Sequence, residues 1–239
     1  MKNSAYKRAL CALFSVFLAL TMVFPGEVAL AASAPGNVAR FSMTGCSAST
    51  VRLSWSKVKG ASGYRIRRYD SKSKKWKTVL TATKGSAIKG TVKKLSPATT
   101  YKLQIHAYKK AGKKTLYSKK AKTLTVATKP AKVILQSVKA SGAKITVSWK
   151  KVTASGYQVI YARNKQFKNG ESILVGGSNK AATYYAPYSG TYYVHLRPYK
   201  NLNGKKYYGS WSNTKTVKVN IRKQLSLIHI SEPTRQAEI

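Results

Sequence analysis

A strictly alternating stretch from Leu95 to Tyr108, L-S-P-A-T-T-Y-K-L-Q-I-H-A-Y, most constrains what this chain can fold into. After a turn at Ser96-Pro97-Ala98, apolar and polar residues alternate, with Tyr101, Leu103, Ile105 and Ala107 on one side and Lys102, Gln104 and His106 on the other. A period of two residues is that of a β-strand with one buried face. The stretch therefore predicts a strand that enters the core directly after a tight turn.

The same pattern returns in a second copy of a longer unit. Trp55 and Trp149 lie 94 residues apart, Tyr64 and Tyr157 lie 93 apart, and Tyr101 and Tyr192 lie 91 apart. A repeat of about 93 residues is too long for a solenoid unit and is close to the ~100 residues of one immunoglobulin-like β-sandwich. We therefore expect two tandem domains of one architecture.

Each copy consists of short strands separated by turn signals. The predicted inward residues of the first strands are Val51, Leu53, Trp55, Tyr64 and Ile66 in one copy and Ile145, Val147, Trp149, Tyr157, Val159 and Tyr161 in the other. Dipeptides that end in glycine mark the turns, at Lys59-Gly60, Lys84-Gly85, Ala111-Gly112, Asn169-Gly170 and Asn203-Gly204. Outside the N-terminal segment no window has a helical period, so the predicted fold class is all-β.

These residues resemble the fibronectin type III domain. The resemblance rests on the tryptophan of the second strand, the tyrosine of the third, and the L-S-P-A-T-T-Y corner whose tyrosine bonds back to the turn. It implies one such domain over residues 33–128 and another over 129–220, although the second corner reads A-P-Y-S-G-T-Y-Y and lacks the L-x-P. The R-G-D tripeptide of some integrin-binding family members is absent from the sequence, so that function is not implied.

The two ends of the chain have different predicted origins. Residues 1–32 have a basic start, an apolar run from Ala9 to Phe24 and an A-L-A cleavage site, which predicts a secretory signal peptide, the alternative being a retained membrane anchor. Residues 221–239 are predicted to be a non-native or disordered tail. Within it, Leu225–Arg235 resembles a translated sequencing adapter, the alternative being a genuine short tail. We expect the natural protein to continue past residue 224.

The charge is extreme. Between Ser33 and Asn220 there are 39 lysines and arginines against two acids, Asp70 and Glu171, a net charge of +37. Such a surface attracts polyanions, and lysine, which outnumbers arginine here, acts as a point charge where arginine can bind a phosphate with two hydrogen bonds. The composition favours diffuse attraction over specific recognition of phosphate.

Catalytic chemistry is not expected. The two acids lie in different repeats, which excludes a carboxylate pair and leaves His106 and His195 without an orienting acid; both are predicted to be solvated strand residues. Two acids cannot form a conventional Ca²⁺ site, and no glycine-rich phosphate loop occurs in the sequence. Cys46 is predicted to be a buried or half-buried apolar residue. The prediction is a non-enzyme with no cofactor, no metal and no small-molecule substrate.

One cluster is a candidate binding site. The resemblance places in the loop between the last two strands the residues Lys205, Lys206, Tyr207, Tyr208 and Trp211. Aromatic rings beside lysines can stack on sugars or bases while the lysines bind sulfate, carboxylate or phosphate. The alternative is that these rings are half-buried strand residues that pack the edge of the sandwich.

Three functions remain open at this point. The first is a secreted or cell-surface spacer and adhesion module, associated with the cell wall, that binds anionic wall polymer or host glycan. The second is a passive linker of a larger extracellular enzyme. The third is a nucleic-acid binder, favoured by charge and disfavoured by the signal peptide and the low arginine share. Lysine-rich domains of this type are similar to modules of secreted Gram-positive bacterial proteins.

Overall fold

The computed structural model describes residues 33–221 and is built from β-strands. Those of the first repeat are β1 Phe41–Cys46, β2 Val51–Trp55, β3 Gly63–Asp70, β4 Lys75–Ala82, β5 Lys89–Val92, β6 Thr100–Ala111, β7 Lys114–Tyr117 and β8 Lys122–Ala127. Those of the second are β9 Ile134–Ser141, β10 Lys144–Lys150, β11 Gly156–Ala162, β12 Glu171–Gly176, β13 Ala181–Tyr185, β14 Gly190–Leu202, β15 Lys205–Tyr208 and β16 Lys215–Val219. The predicted signal peptide and Leu225–Arg235 lie outside the described residues. Within residues 33–221 no helix could cross a membrane.

Each repeat forms two antiparallel sheets with the same strand order. In the first, β1-β2-β5 faces a five-stranded sheet, β4-β3-β6-β7, whose β6 also pairs with β8. In the second, the sheets are β9-β10-β13 and β12-β11-β14-β15, and β14 also pairs with β16. The all-β prediction and the two-sandwich architecture are therefore confirmed, and the predicted boundary at residues 128–129 falls between β8 and β9.

The predicted inward residues form the two cores. Trp55 is 5% exposed and its ring lies 5.5 Å from that of Tyr64, while Trp149 is 1% exposed and lies 5.1 Å from Tyr157. The tyrosine hydroxyls need partners at this depth. The Tyr64 hydroxyl accepts the Val58 N–H at 2.8 Å, and the Tyr157 hydroxyl donates to the carbonyl of Val152, also at 2.8 Å. Each core thus has a large ring pair with its hydroxyl tied to a nearby loop.

The Cys46 side chain also behaves as the sequence predicts. It is half-buried at the end of β1 and packs against the first core. Burial raises the pKa of its thiol, so Cys46 is a packing residue rather than a reactive thiolate.

Both corners are closed by a tyrosine, with opposite hydrogen-bond directions. The Tyr101 hydroxyl accepts the Ser96 N–H at 2.7 Å, as the L-x-P corner predicts. The Tyr192 hydroxyl instead donates to the Tyr188 carbonyl at 3.1 Å. The second corner therefore keeps the tyrosine without the L-x-P turn, because a carbonyl four residues upstream is equally within reach of the phenol.

In each sandwich two successive strands pair with the long strand, β7 and β8 with β6 and β15 and β16 with β14, and a break separates them at the same place. Beyond β7 the Ser118 N–H donates to the Ala107 carbonyl at 2.9 Å, and beyond β15 the Gly209 N–H donates to the Pro198 carbonyl at 2.8 Å. The two hydrogen bonds join equivalent residues, because Ser118 and Gly209 are 91 positions apart and so are Ala107 and Pro198. The two sandwiches therefore share one backbone frame, on which their side chains can be compared position by position.

Candidate functional site

Lys205–Tyr208 follows a hairpin and forms a strand, so its prediction as a loop is wrong, whereas Trp211 lies between β15 and β16, in the loop between the last two strands. Asn203 and Gly204 both have positive φ, 50° and 78°, and they join β14 to β15 with Leu202 opposite Lys205. A two-residue turn of this kind matches the twist of the strands it connects. Lys205–Tyr208 consequently extends the five-stranded sheet as β15.

Four of the five predicted site residues lie on β15 and are divided between its two faces. Tyr208 is directly opposite Tyr199, and the Lys206 ammonium lies 5.7 Å from the centre of the Tyr199 ring. On the other face the Lys205 ammonium lies 5.6 Å from the ring of Tyr207. Both lysines are exposed and both tyrosines are half-buried. Because side chains alternate along a strand, these four residues do not converge on one ligand.

Trp211 belongs to a continuous stack, which we call the ladder: Phe167, His195, Trp211, Arg197 and Tyr208. The rings of Phe167 and His195 are parallel within 6° with centres 3.5 Å apart, and those of His195 and Trp211 are within 14° and 3.9 Å. The Arg197 guanidinium carbon then lies 4.2 Å from the centre of the Trp211 ring and 3.9 Å from that of Tyr208. Planar groups alternate down the outward face of β14.

The ladder occupies the surfaces that a sugar or base would need. His195 and Arg197 are two residues apart on β14, and two groups this close to one ring cannot share a face. Both faces of Trp211 are therefore covered by the protein itself, and one face of Tyr208 is covered by Arg197. The arrangement favours the structural interpretation of these rings, which pack the edge of the sandwich.

His195 is not the solvated strand histidine that the sequence predicts. Its Nε2 is buried with no hydrogen-bond partner among the described residues, because Phe167 and Trp211 cover the ring. Burial and then the neighbouring Arg197 charge lower the pKa of His195 from 6.5 to about 4, so the ring is neutral near pH 7. His106 is half-buried, and its Nδ1 lies 3.0 Å from the Ser118 carbonyl oxygen.

Arg197 is held in place by one further contact. Its Nε donates to the Gln158 Oε1 at 2.8 Å, while burial lowers its pKa and the adjacent Tyr208 acts in the opposite direction. Sequence reasoning missed Phe167, His195 and Arg197 as partners of Trp211. The available signal was the outward phase of His195 and Arg197, which share a face of β14 with Tyr199, the residue opposite Tyr208.

The remaining surface is dominated by cations without acidic partners. Among the described residues one ion pair forms, between Lys77 Nζ and Asp70 Oδ2 at 2.5 Å, and the hydrogen bond from Lys77 is the main cause that lowers the pKa of Asp70 to about 2. The exposed lysines of the first sandwich include those at its last hairpin and beyond, at Lys110, Lys113, Lys114, Lys119, Lys120 and Lys122. Repulsion among them is relieved only by solvent and counterions.

The fold and the paired corners define a class of protein, the tandem immunoglobulin-like sandwich. Residues 33–123 match the family model of the fibronectin type III domain, so the first sandwich is a fibronectin type III domain. The second has the same strand order and an equivalent core, so the described residues form two tandem sandwiches of the fibronectin type III fold.

Several solved structures are similar to this chain. A two-domain fibronectin type III segment from chicken tenascin is 17% identical with a TM-score of 0.44, and the match covers 79% of this chain and 99% of that one. The first three such domains of chicken CNTN1 are 19% identical with a TM-score of 0.41, covering 78% and 68%. The FN3tt structure is 22% identical with a TM-score of 0.34, covering 41% and 98%. No curated protein matches the sequence.

Proposed function

We propose that this tandem pair is a non-catalytic spacer and adhesion unit that acts outside the cell and binds anionic polymers electrostatically. The observation that carries the proposal is the charge of the described surface. Of 39 lysines and arginines between Ser33 and Asn220, Lys77 alone has a carboxylate partner among the described residues. A polyanion that binds here neutralises self-repulsion and releases its own counterions, and both effects favour association.

The positions of the arginine side chains support diffuse rather than specific binding of anions. Arginine is the residue suited to bidentate recognition of phosphate or carboxylate. Five of the arginines lie over tyrosine or tryptophan rings of the protein itself: Arg65, Arg67, Arg68, Arg163 and Arg197. The exposed cations are therefore mainly lysines, which attract charge without imposing a geometry on it.

Salt dependence tests the proposal. Binding of the purified protein to poly-glutamate, to a sulfated glycan and to neutral dextran is measured over a range of NaCl concentrations. We expect no binding to dextran, and a linear fall of log affinity with log salt for both polyanions, with slopes set by the number of contacts made. The variant Trp211→Ala serves as a control and should leave both slopes unchanged, because His195 and Arg197 cover the ring of Trp211.

Two results would contradict the proposal in different ways. Tight binding to one glycan that persists at high salt and is lost in Trp211→Ala would indicate a specific aromatic site. Absence of binding to either polyanion at low salt would indicate a passive spacer, such as a linker in a larger extracellular enzyme.

A further inference from the structure

A small cavity lies at the corner of the second sandwich, away from the ladder. It has a volume of about 170 Å³, and its lining includes Tyr161, Tyr184, Tyr188, Tyr192 and Glu171. Tyr161 is only 1% exposed, yet its hydroxyl has no hydrogen-bond partner among the described residues. A buried hydroxyl without a partner is costly, so this group indicates that something polar can enter the cavity.

In the first sandwich, the positions that correspond to Tyr161 and Glu171 hold two cations. Arg68 is directly opposite Lys77 in the first sandwich, and Tyr161 is directly opposite Glu171 in the second, at the same register positions. The Arg68 guanidinium lies 5.4 Å from the ring of the corner tyrosine, Tyr101. The second sandwich has replaced two cations by a phenol and a carboxylate at this corner. Its own corner tyrosine thereby lacks the cation that the first sandwich supplies.

Glu171 is the second unusual feature of this corner. It is the one acid of the second repeat, which carries 16 lysines and arginines between residues 129 and 220, yet no lysine or arginine among residues 33–221 forms an ion pair with it. Glu171 lines the cavity together with Tyr184, and after burial its carboxylate is the next cause that raises the pKa of Tyr184 to about 12. The Tyr184 ring in turn stacks on Tyr161, with centres 4.5 Å apart.

We propose that this cavity binds a primary ammonium group. The carboxylate of Glu171 supplies the opposite charge, the tyrosine rings supply their negative faces, and an ammonium N–H gives the Tyr161 hydroxyl the partner it lacks. A quaternary ammonium has no N–H to offer and satisfies the hydroxyl less well. Arg163 also lines the cavity, but its side chain is exposed and its guanidinium lies 5.6 Å from the Tyr188 ring. The site is independent of the polyanion binding proposed above, because its charge has the opposite sign.

Titration with ethanolamine, protonated at pH 7, tests the proposal. Amide shifts are followed by NMR in 150 mM salt, where screening over about 8 Å weakens repulsion by the surrounding lysines. Ethylene glycol is the matched neutral probe, in which a hydroxyl replaces the ammonium. We expect saturable shifts at residues 161–171 and 184–192 with ethanolamine, and none with ethylene glycol.

Two variants locate the charge that is responsible. Glu171→Gln keeps the size of an exposed side chain and should weaken ethanolamine binding by about tenfold, as for loss of a hydrogen bond to a charged group. Asp70→Asn removes the other described acid and should leave the affinity unchanged. Equal shifts with both probes, shifts that do not saturate, an unchanged affinity in Glu171→Gln, or an equal loss in both variants would each overturn the proposal.

Discussion

The outward faces of β6 and β14 occupy the same positions of one backbone frame and carry different surfaces. On β14, His195 and Arg197 stack with Trp211. Residues 91 positions earlier are Gln104, His106 and Lys120, and of these Lys120 is exposed. With lysine in place of tryptophan, the first sandwich has no large ring at the position of Trp211. The comparison teaches that the side chains at a few outward positions decide whether this face is stacked or left as a charged surface.

A partial version of the stack exists in the first sandwich around Tyr117. The Arg65 guanidinium lies 4.8 Å and that of Arg67 5.9 Å from the ring centre, and His106 meets the ring edge-on at 6.3 Å. These distances exceed the 3.5–4.2 Å of the ladder. The second sandwich should therefore gain stability from its outer face, whereas the first uses that face to present charge.

The largest expected effect is shared by both sandwiches and comes from the core tryptophans. Trp55→Ala and Trp149→Ala should each lower the free energy of unfolding by ~3–5 kcal/mol, because each leaves a large cavity beside a buried tyrosine ring. Urea unfolding followed by circular dichroism measures the change. A loss within ~0.5 kcal/mol would place that tryptophan at the surface and break the equivalence of the two cores.

The ladder should cause a smaller difference in unfolding free energy between the two sandwiches. Trp211→Ala removes stacking with His195 and Arg197 and should cost about 2 kcal/mol of unfolding free energy. Lys120→Ala, at the corresponding position of the first sandwich, is the matched control and should change stability by less than about 0.5 kcal/mol, since it is an exposed side chain. Equal costs in the same urea assay would show that stacking adds nothing to the second sandwich.

The smallest expected effect is a pH dependence confined to the second sandwich. The pKa of His195 is about 4 in the folded chain and 6.5 when unperturbed, so between these values the unfolded chain binds more protons. Stability should be fully present above about pH 6.5 and fall as the pH drops towards about 4. His195→Gln introduces the residue found at Gln104 and should flatten this part of the profile of unfolding midpoint against pH. An identical slope in the variant would contradict a buried neutral histidine.

The core could be predicted from sequence because its signal is local. Residues two apart on a strand share a face, so the alternation at V-R-L-S-W and I-T-V-S-W was sufficient to place Trp55 and Trp149 inside. The repeat of about 93 residues and the tyrosine after each turn then predicted two sandwiches with closed corners. The family resemblance instead placed Lys205–Tyr208 in a loop, and the sequence did not correct it, since alternation over four residues does not by itself identify a pairing partner.

By itself, then, the sequence determined the fold class, the repeat, the inward residues and the excess of positive charge, all of which depend on periodicity and composition. Tertiary structure alone decided that Phe167, from a distant turn, covers His195, and that Trp211 lies between His195 and Arg197. It also brought Glu171 beside Tyr161 and Tyr184 at a corner with an unpartnered hydroxyl. These contacts depend on strand register and on loops that return from far along the chain, and neither is encoded in the spacing of neighbouring residues.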